Sequence, residues 1–252
     1  MHPTVNEILK STRKRIQPLR NEKKKVITPR NFQDVIKARK QRNLIPVIAE
    51  VKPSSPTIFN RNVTPQDAAD IARQMEASGT AAISVLTEPQ FFRGSIENLN
   101  CVRRAVGIPV LRKDFIIDKA QIYEAESDLI LLIAGILDDK LDDFVDEAMS
   151  CGREPLVEVH NKNELESALS TDTFIIGINN RDLNTLKVDI TTTEKLAPLI
   201  NDRIIVSESG ISSTEEAIRM MDAGADAILV GTSIMQGNIY NKTYELVHAL
   251  ED

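Results

Sequence analysis

A carboxylate and an amine two residues apart, Glu50 and Lys52, close the first of a series of short apolar runs, Ile48-Ala49-Glu50-Val51-Lys52. Side chains alternate along an extended strand, so both fall on one face. Five other runs end in polar residues: Leu111-Arg112-Lys113-Asp114, Leu156-Val157-Glu158-Val159-His160, Gly177-Ile178-Asn179-Asn180-Arg181-Asp182, Val206-Ser207-Glu208-Ser209-Gly210 and Val230-Gly231-Thr232. Any one of them is readable as a structural ion pair, since Glu and Lys are rarely buried without a partner. Three Glu, two Lys and an Asn at the ends of successive runs point instead to a single polar mouth. Neighbouring carboxylates raise one another's pKa, neighbouring lysines lower it, and burial disfavours either charged form. Such a cluster suits proton transfer near neutral pH, with a lysine as donor and a glutamate as base.

The last two runs add an anion cradle. Ser209-Gly210 precedes one helical pattern, and Gly231-Thr232-Ser233 precedes the next. Glycine lets a backbone approach closely, and a helix N-terminus offers free N–H groups at the positive end of its dipole. Neither a dinucleotide fingerprint nor a P-loop occurs, so a sugar phosphate suits this site better than a dinucleotide. Metal chemistry has little support, because His2, His160 and His248 stand in unrelated contexts. His160 reads as the start of a loop, and no Ser-His-Asp set is apparent.

Apolar runs at Ile45–Val51, Ala81–Leu86, Pro109–Leu111, Leu129–Ile133, Pro155–Val159, Phe174–Ile178, Ile204–Val206 and Ala227–Val230 must position these groups. Amphipathic patterns alternate with them at Pro65–Ala77, Ile96–Val106, Lys119–Ala125, Leu137–Met149, Lys162–Leu169, Thr192–Leu199, Ser213–Ala223 and Asn238–Leu250. Continuous apolar character marks strands buried on both faces, as in parallel sheets covered by helices. Eight such units in succession predict an α/β fold, a single (β/α)8 TIM barrel spanning residues 45–252, whose chemistry sits at the strand C-terminal ends. Residues 1–44 read as an N-terminal helical extension packing on the barrel mouth, with apolar stripes at Val5, Ile8, Leu9 and Ile16 and at Phe32, Val35 and Ile36. Thr64-Pro65 and Ser213 to Glu216 carry helix-start signals. The acidic run from Asp138 to Glu147 reads as a solvated helix face, since Leu137, Leu141, Phe144 and Ala148 recur through it at helical spacing.

The 252 residues carry a net charge of −6, with 42% hydrophobic and 27% charged residues. That balance argues against disorder and against a general nucleic-acid binder. The extension is the exception, with thirteen Lys/Arg against three Asp/Glu. A basic arm invites a nucleic-acid reading, but the amphipathic stripes favour packed helices with solvated basic faces. No apolar run approaches the length of a membrane span. The only cysteines, Cys101 and Cys151, fit a reducing, cytoplasmic setting.

The motifs resemble the indole-3-glycerol phosphate synthase family from about Ile45 to Met235. The resemblance is carried by Glu50-Val51-Lys52 with Ser55-Pro56, Leu86-Thr87-Glu88 with Phe92-x-Gly94-Ser95, and Arg112-Lys113-Asp114-Phe115. Glu158, Gly177 through Leu183, Ser207 through Ile211 and Val230-Gly231-Thr232 complete it. It implies a monofunctional carboxy-lyase of tryptophan biosynthesis. Its small-molecule sugar-phosphate substrate, 1-(2-carboxyphenylamino)-1-deoxyribulose 5-phosphate, closes to an indole with loss of CO2 and water. It also implies roles. Lys113 is the general acid at the substrate carbonyl, Lys52 and Glu50 assist proton transfer and dehydration, and Glu158 is a base or stabilises charge on the ring nitrogen. Asn179 and Glu208 orient the substrate. Lys52, Ser209, Gly210, Gly231 and Thr232, supported by Arg181, hold the phosphate, while Pro56, Phe92, Phe115 and Leu131 form the slot for the aromatic ring. Neither a metal nor an organic cofactor is needed, and neither a nucleic acid nor a membrane partner is implied. A monomer is expected, with other tryptophan-pathway enzymes as possible partners. The chain departs from the family at Thr57-Ile58-Phe59, in a loop expected to approach the substrate, where Ser, often followed by Lys-Gly, is usual, and in a short helix between Gln121 and Asp128.

Three rivals stand beside this expectation. A phosphate-binding isomerase barrel needs an acid–base pair such as Cys/Asp at strand ends, yet both cysteines fall in or beside helical patterns. A scaffold barrel would have no use for grouped charges that are costly to desolvate. A Schiff-base lyase would use Lys113 as a nucleophile.

Overall fold

Largely apolar runs bury both faces, and in the computed structural model they become eight parallel strands. The structure describes residues 1–251, apart from the side chains at positions 20 and 21. The strands are β1 (Val47–Val51), β2 (Ala82–Leu86), β3 (Val110–Lys113), β4 (Leu129–Ile133), β5 (Glu154–Val159), β6 (Ile175–Asn179), β7 (Ile204–Glu208) and β8 (Ala227–Val230). They pair in sequence order, and β8 returns to β1, closing a barrel.

The helices are α1 (Pro3–Arg15), α2 (Phe32–Gln41), α3 (Pro65–Ala77), α4 (Ile96–Ala105), α5 (Ala120–Glu124), α6 (Ala134–Leu137), α7 (Leu141–Ser150), α8 (Lys162–Leu169), α9 (Thr191–Leu196), α10 (Thr214–Asp222), α11 (Thr232–Gln236) and α12 (Ile239–Val247). Thr64 with Asp67 and Ser213 with Glu216 form capping boxes on α3 and α10. From Leu141 on, the acidic run folds as the anticipated helix, with Leu141, Phe144, Val145 and Ala148 of α7 facing inward. A left-handed Asp138, at φ +50°, separates this helix from α6. Among the described residues no helix is long and apolar enough to cross a membrane.

Two apolar layers follow from the period-two alternation. Outward residues such as Val47, Ala49, Val51, Ile176, Ile178 and Val230 pack against the helices. Inward residues such as Ile48, Leu111, Leu131, Leu156, Val206 and Leu229 fill the barrel. The same alternation sorts the strand ends. On β3, Lys113 shares the inward face with Leu111, whereas Arg112 points outward and is fully buried. Its guanidinium meets Asp114, Glu124, Thr87 and the carbonyl of Gln121. Of two adjacent cations, one is structural and the other reaches the mouth.

The extension splits, and here the sequence expectation needs correction. Helix α1 does lie at the mouth, where Arg15 donates twice to Asp114 and the His2 amide donates to Leu183 O. Helix α2 instead closes the opposite end. Phe32 and Ile36 join the inner layer, the Phe32 amide donates to Glu154, and Arg39 donates to Thr80 O, both at strand starts. An amphipathic stripe dictates that a helix is buried but not at which end of a barrel. The intervening segment crosses the outside of the barrel, where the Ile27 amide donates to Cys151 O and the buried Arg153 donates to Lys25 O. Gly152, at φ +71°, makes this passage possible, because a Cβ there would stand 1.9 Å from Ile27 O.

Candidate active site

Inward parity brings Glu50 from β1, Lys113 from β3, Glu158 from β5, Asn179 from β6 and Glu208 from β7 to one end of the barrel, with Lys52 just beyond β1. All but Lys52 and Lys113 are buried. Lys113 is the hub. Its Nζ donates to Glu208 Oε2 at 2.6 Å and lies 3.7 Å from Glu50 Oε2, while Lys52 Nζ is 3.3 Å from Glu50 Oε1. Burial by itself would depress the Lys113 pKa, but Glu208, Glu50 and Glu158 outweigh it and hold the ammonium well above its ordinary value. Burial pushes Glu208 up to about 7, with Glu158 and Glu50 adding to the rise and Lys113 opposing it. The second oxygen of Glu208 has no hydrogen-bond partner among the described residues, which favours a proton there near neutral pH.

Two glycines make room for these carboxylates. A Cβ on Gly177 would stand 2.4 Å from Glu208 Oε1, and one on Gly231 would stand 2.4 Å from Glu50 Oε1. Gly231 therefore serves the packing of Glu50 as well as any approach of a ligand.

A cavity opens above the cluster. Of the residues anticipated from sequence, Glu50, Lys52, Pro56, Phe92, Lys113, Phe115, Leu131, Glu158, Asn179, Arg181, Ser209 and Thr232 line it. Glu208 lies beneath, reaching it through Lys113, and Gly210 and Gly231 sit in its supporting turns. The rings of Phe92 and Phe115 have centroids 6.1 Å apart at 40°, forming one apolar wall. Glu88 shapes that wall from behind by accepting the amides of Gln90, Phe91 and Phe92.

Opposite the aromatic pair, Ser209 and Gly210 are both left-handed, at φ +67° and +84°. Asn180, pointing outward from the end of β6, donates to Ser209 O and fixes the turn. Helix α11 begins at Thr232 without a side-chain cap, so its first amides lack partners within the helix. Lys52 lies beside this side of the cavity, and Arg181 donates to Leu186 O at its rim.

Sequence reasoning missed part of the lining. Thr4, Val5 and Ile8 of α1 roof the cavity. Thr57 and Ile58 reach it too, in keeping with the expectation for the loop that departs from the family pattern. The Ser55 amide donates to Ile58 O, so this segment forms a tight turn at the rim. His160 is the larger omission. It does begin the loop after β5, but its side chain is only 3% exposed, with Nε2 3.2 Å from Glu158 Oε1 and Nδ1 2.9 Å from Glu164 Oε2. Its shared parity with Glu158 and its i,i+4 spacing to Glu164 were the available clues. Burial would keep the ring neutral, but the hydrogen bonds and charges of Glu158 and Glu164 lift it to about 10. Burial likewise favours a neutral Glu158, yet His160, Lys113 and Asn179 hold that carboxyl down at about 2.

The arrangement therefore offers a charged ammonium ringed by carboxylates, an aromatic wall and a turn-and-helix end suited to an anion. Comparison with known proteins fits it. A family model described as indole-3-glycerol phosphate synthase matches residues 3–246. The enzyme of that name from Halobacterium salinarum is 42% identical over 97% of this chain and 96% of its own length. That from Methanocaldococcus jannaschii is also 42% identical, over 96% and 91%, and that from Aquifex aeolicus is 46% identical over 80% of each. Solved structures share the fold at low identity. N-acetylmannosamine-6-phosphate 2-epimerase from Clostridium perfringens superposes with a TM-score of 0.61 at 16% identity over 81% of this chain and 90% of its own. Geranylgeranylglyceryl phosphate synthase from Thermoplasma acidophilum gives 0.62 at 14% identity over 90% and 99%.

Proposed function

This chain belongs to the indole-3-glycerol phosphate synthase family, and we propose that its barrel mouth converts 1-(2-carboxyphenylamino)-1-deoxyribulose 5-phosphate to indole-3-glycerol phosphate, CO2 and water. The observation that carries the reading is Lys113, a half-buried cation 2.6 Å from Glu208 and 3.7 Å from Glu50 at the foot of an aromatic-walled cavity.

The substrate's aromatic ring fits against Phe92, Phe115, Leu131 and Pro56, and its phosphate against Lys52, Ser209, Gly210, Gly231, Thr232 and Arg181. This orientation sets the ketose carbonyl over Lys113. As the ring carbon bearing the carboxylate attacks that carbonyl, Lys113 delivers a proton to the developing alkoxide, a charge it also stabilises before transfer. Positive charge grows on the aniline nitrogen in the same step, and Glu158, kept ionised, stabilises it electrostatically. Loss of CO2 restores the aromatic ring. Lys52 and Glu50, 3.3 Å apart, then serve as the acid and base of the dehydration. Asn179 and Glu208 orient the sugar chain and the Lys113 ammonium. Residues 1–44 act as an extension of the 45–252 barrel, its first helix roofing the cavity. We place the protein in the cytoplasm as a monomer: both cysteines are unpaired, and one chain supplies every group named.

Incubation of the purified chain with the carboxyphenylamino sugar phosphate tests the reading. Indole fluorescence and CO2 should rise together in equal amounts. No fluorescent product, or product without CO2, rejects it.

A further inference from the structure

The Glu158 carboxylate faces the cavity with very little exposure, and a group so placed needs its oxygens fixed if it is to act at one atom of a ligand. Lys113 bears on it from β3 and Asn179 from β6, while Glu208 on β7 repels it. None of these ties it to the outer layer of the barrel. His160 does. Its Nε2 stands 3.2 Å from Glu158 Oε1, an ion-pair distance without hydrogen-bond alignment, and its Nδ1 is hydrogen-bonded to Glu164 Oε2 at 2.9 Å in the first turn of α8. Glu164 is itself held by Asn161 Nδ2 and by the backbone amide of His160. Gly135 of α6 leaves space for it, since a Cβ there would stand 2.8 Å from Glu164 Oε1.

We propose that His160 is a positioning residue, an imidazolium bridge that holds Glu158 by one oxygen and anchors it to α8 through Glu164. Two carboxylates this close to one buried ring favour its charged form. A neutral imidazole carries one N–H, so one of its nitrogens would turn a lone pair toward a buried carboxylate oxygen. With both nitrogens protonated, Nδ1 donates to Glu164 and the ring's positive charge lies 3.2 Å from Glu158. The titratable groups around the bridge are Glu158 on β5 and Glu164 on α8, with Lys113 and Glu208 beyond Glu158; α6 contributes no charge. Removing the imidazolium leaves Glu158 free to swing toward Lys113 or to take up a proton. Either response withdraws the anion from the place where the substrate nitrogen becomes cationic. The bridge thus divides the cluster: Lys113 pairs with Glu208 and Glu50, and Glu158 is kept apart for the ligand.

The inference rests on the role proposed for Glu158, so the test is a double-mutant cycle that measures both. Glu158→Gln should lower kcat by about 10²-fold or more. His160→Gln should lower kcat by on the order of 10- to 10²-fold with little change in KM, and by less than about twofold in the Glu158→Gln background. The acid limb of kcat in His160→Gln should rise by about 1–3 pH units, because Glu158 loses an adjacent positive charge. His160→Asn gives a second variant, whose shorter amide keeps the contact to Glu164 but not to Glu158. Positioning predicts it to be less active than the Gln variant, whereas a purely structural cap on α8 predicts the reverse. Near-normal turnover in Glu158→Gln would remove the role of Glu158 and the bridge with it. Loss in Glu158→Gln, combined with an equal His160→Gln effect in both backgrounds or an unmoved acid limb, would overturn the bridge alone.

Discussion

Replacing Glu208 by Gln should change the pH dependence of stability over a defined window. The folded-state carboxyl lies at about 7 against an ordinary 4.5, chiefly because it is buried. Between those values the folded chain binds a proton that the unfolded chain has released, so stability falls as pH rises from 4.5 to 7 and is then flat with respect to this group. A shift of about 2.5 units corresponds to roughly 3 kcal/mol, fully expressed above pH 7. Glutamine cannot ionise, so the variant lacks this loss, and its stability relative to wild type should improve by roughly 3 kcal/mol between pH 4.5 and 8. The other shifted groups of the cluster do not mimic the effect in the difference. Glu158, held down at about 2, contributes stability that disappears only as pH falls below 4.5. His160, raised from 6.5 to about 10, contributes stability present below 6.5 and lost as pH rises through 10, and it is common to both proteins. The raised Lys113 titrates at still higher pH. Urea unfolding followed by circular dichroism at several pH values supplies the measurement. A difference between the two proteins that stays constant within about 1 kcal/mol across the window refutes the assignment of a buried, protonatable Glu208.

Two further substitutions test the packing that supports the site. Gly152→Ala should destabilise the protein by at least about 2 kcal/mol, because the position is left-handed and the new methyl meets Ile27 O; a urea-derived loss below about 0.5 kcal/mol would contradict this passage of the extension. Gly231→Ala should cut kcat/KM by about 10-fold or more by displacing the Glu50 carboxylate. Unchanged steady-state kinetics would show that Glu50 moves without consequence.

The sequence displayed the barrel well, since eight apolar runs with helical patterns between them leave few alternatives, and β4 and β8 have the expected bounds. Capping residues placed helix starts to within a residue at α3 and α10. The site was legible wherever a polar residue shares parity with an apolar inward neighbour, as Glu50 does with Ile48 and Glu208 with Val206. Parity is vulnerable to a one-residue error in a strand end, and Arg112 beside Lys113 shows the consequence, because only the register assigns one to the outer layer. His160 was obscured for a different reason: a polar residue just past a strand resembles loop chemistry until its partners on β5 and α8 are brought together. The end of the barrel that α2 covers was illegible, because its contacts with Glu154 and Thr80 are long-range in sequence. So was the need for glycine at 152 and 231, which lies in atoms contributed by Ile27 and Glu50.

The most direct measurement is a paired assay of Lys113→Met, with binding read by titration of the carboxyphenylamino sugar phosphate and turnover read by indole fluorescence. The variant should bind that compound within about tenfold of wild type while its kcat falls by at least about 10²-fold. Turnover within a few-fold of wild type would contradict a mouth in which Lys113 supplies the proton for ring closure.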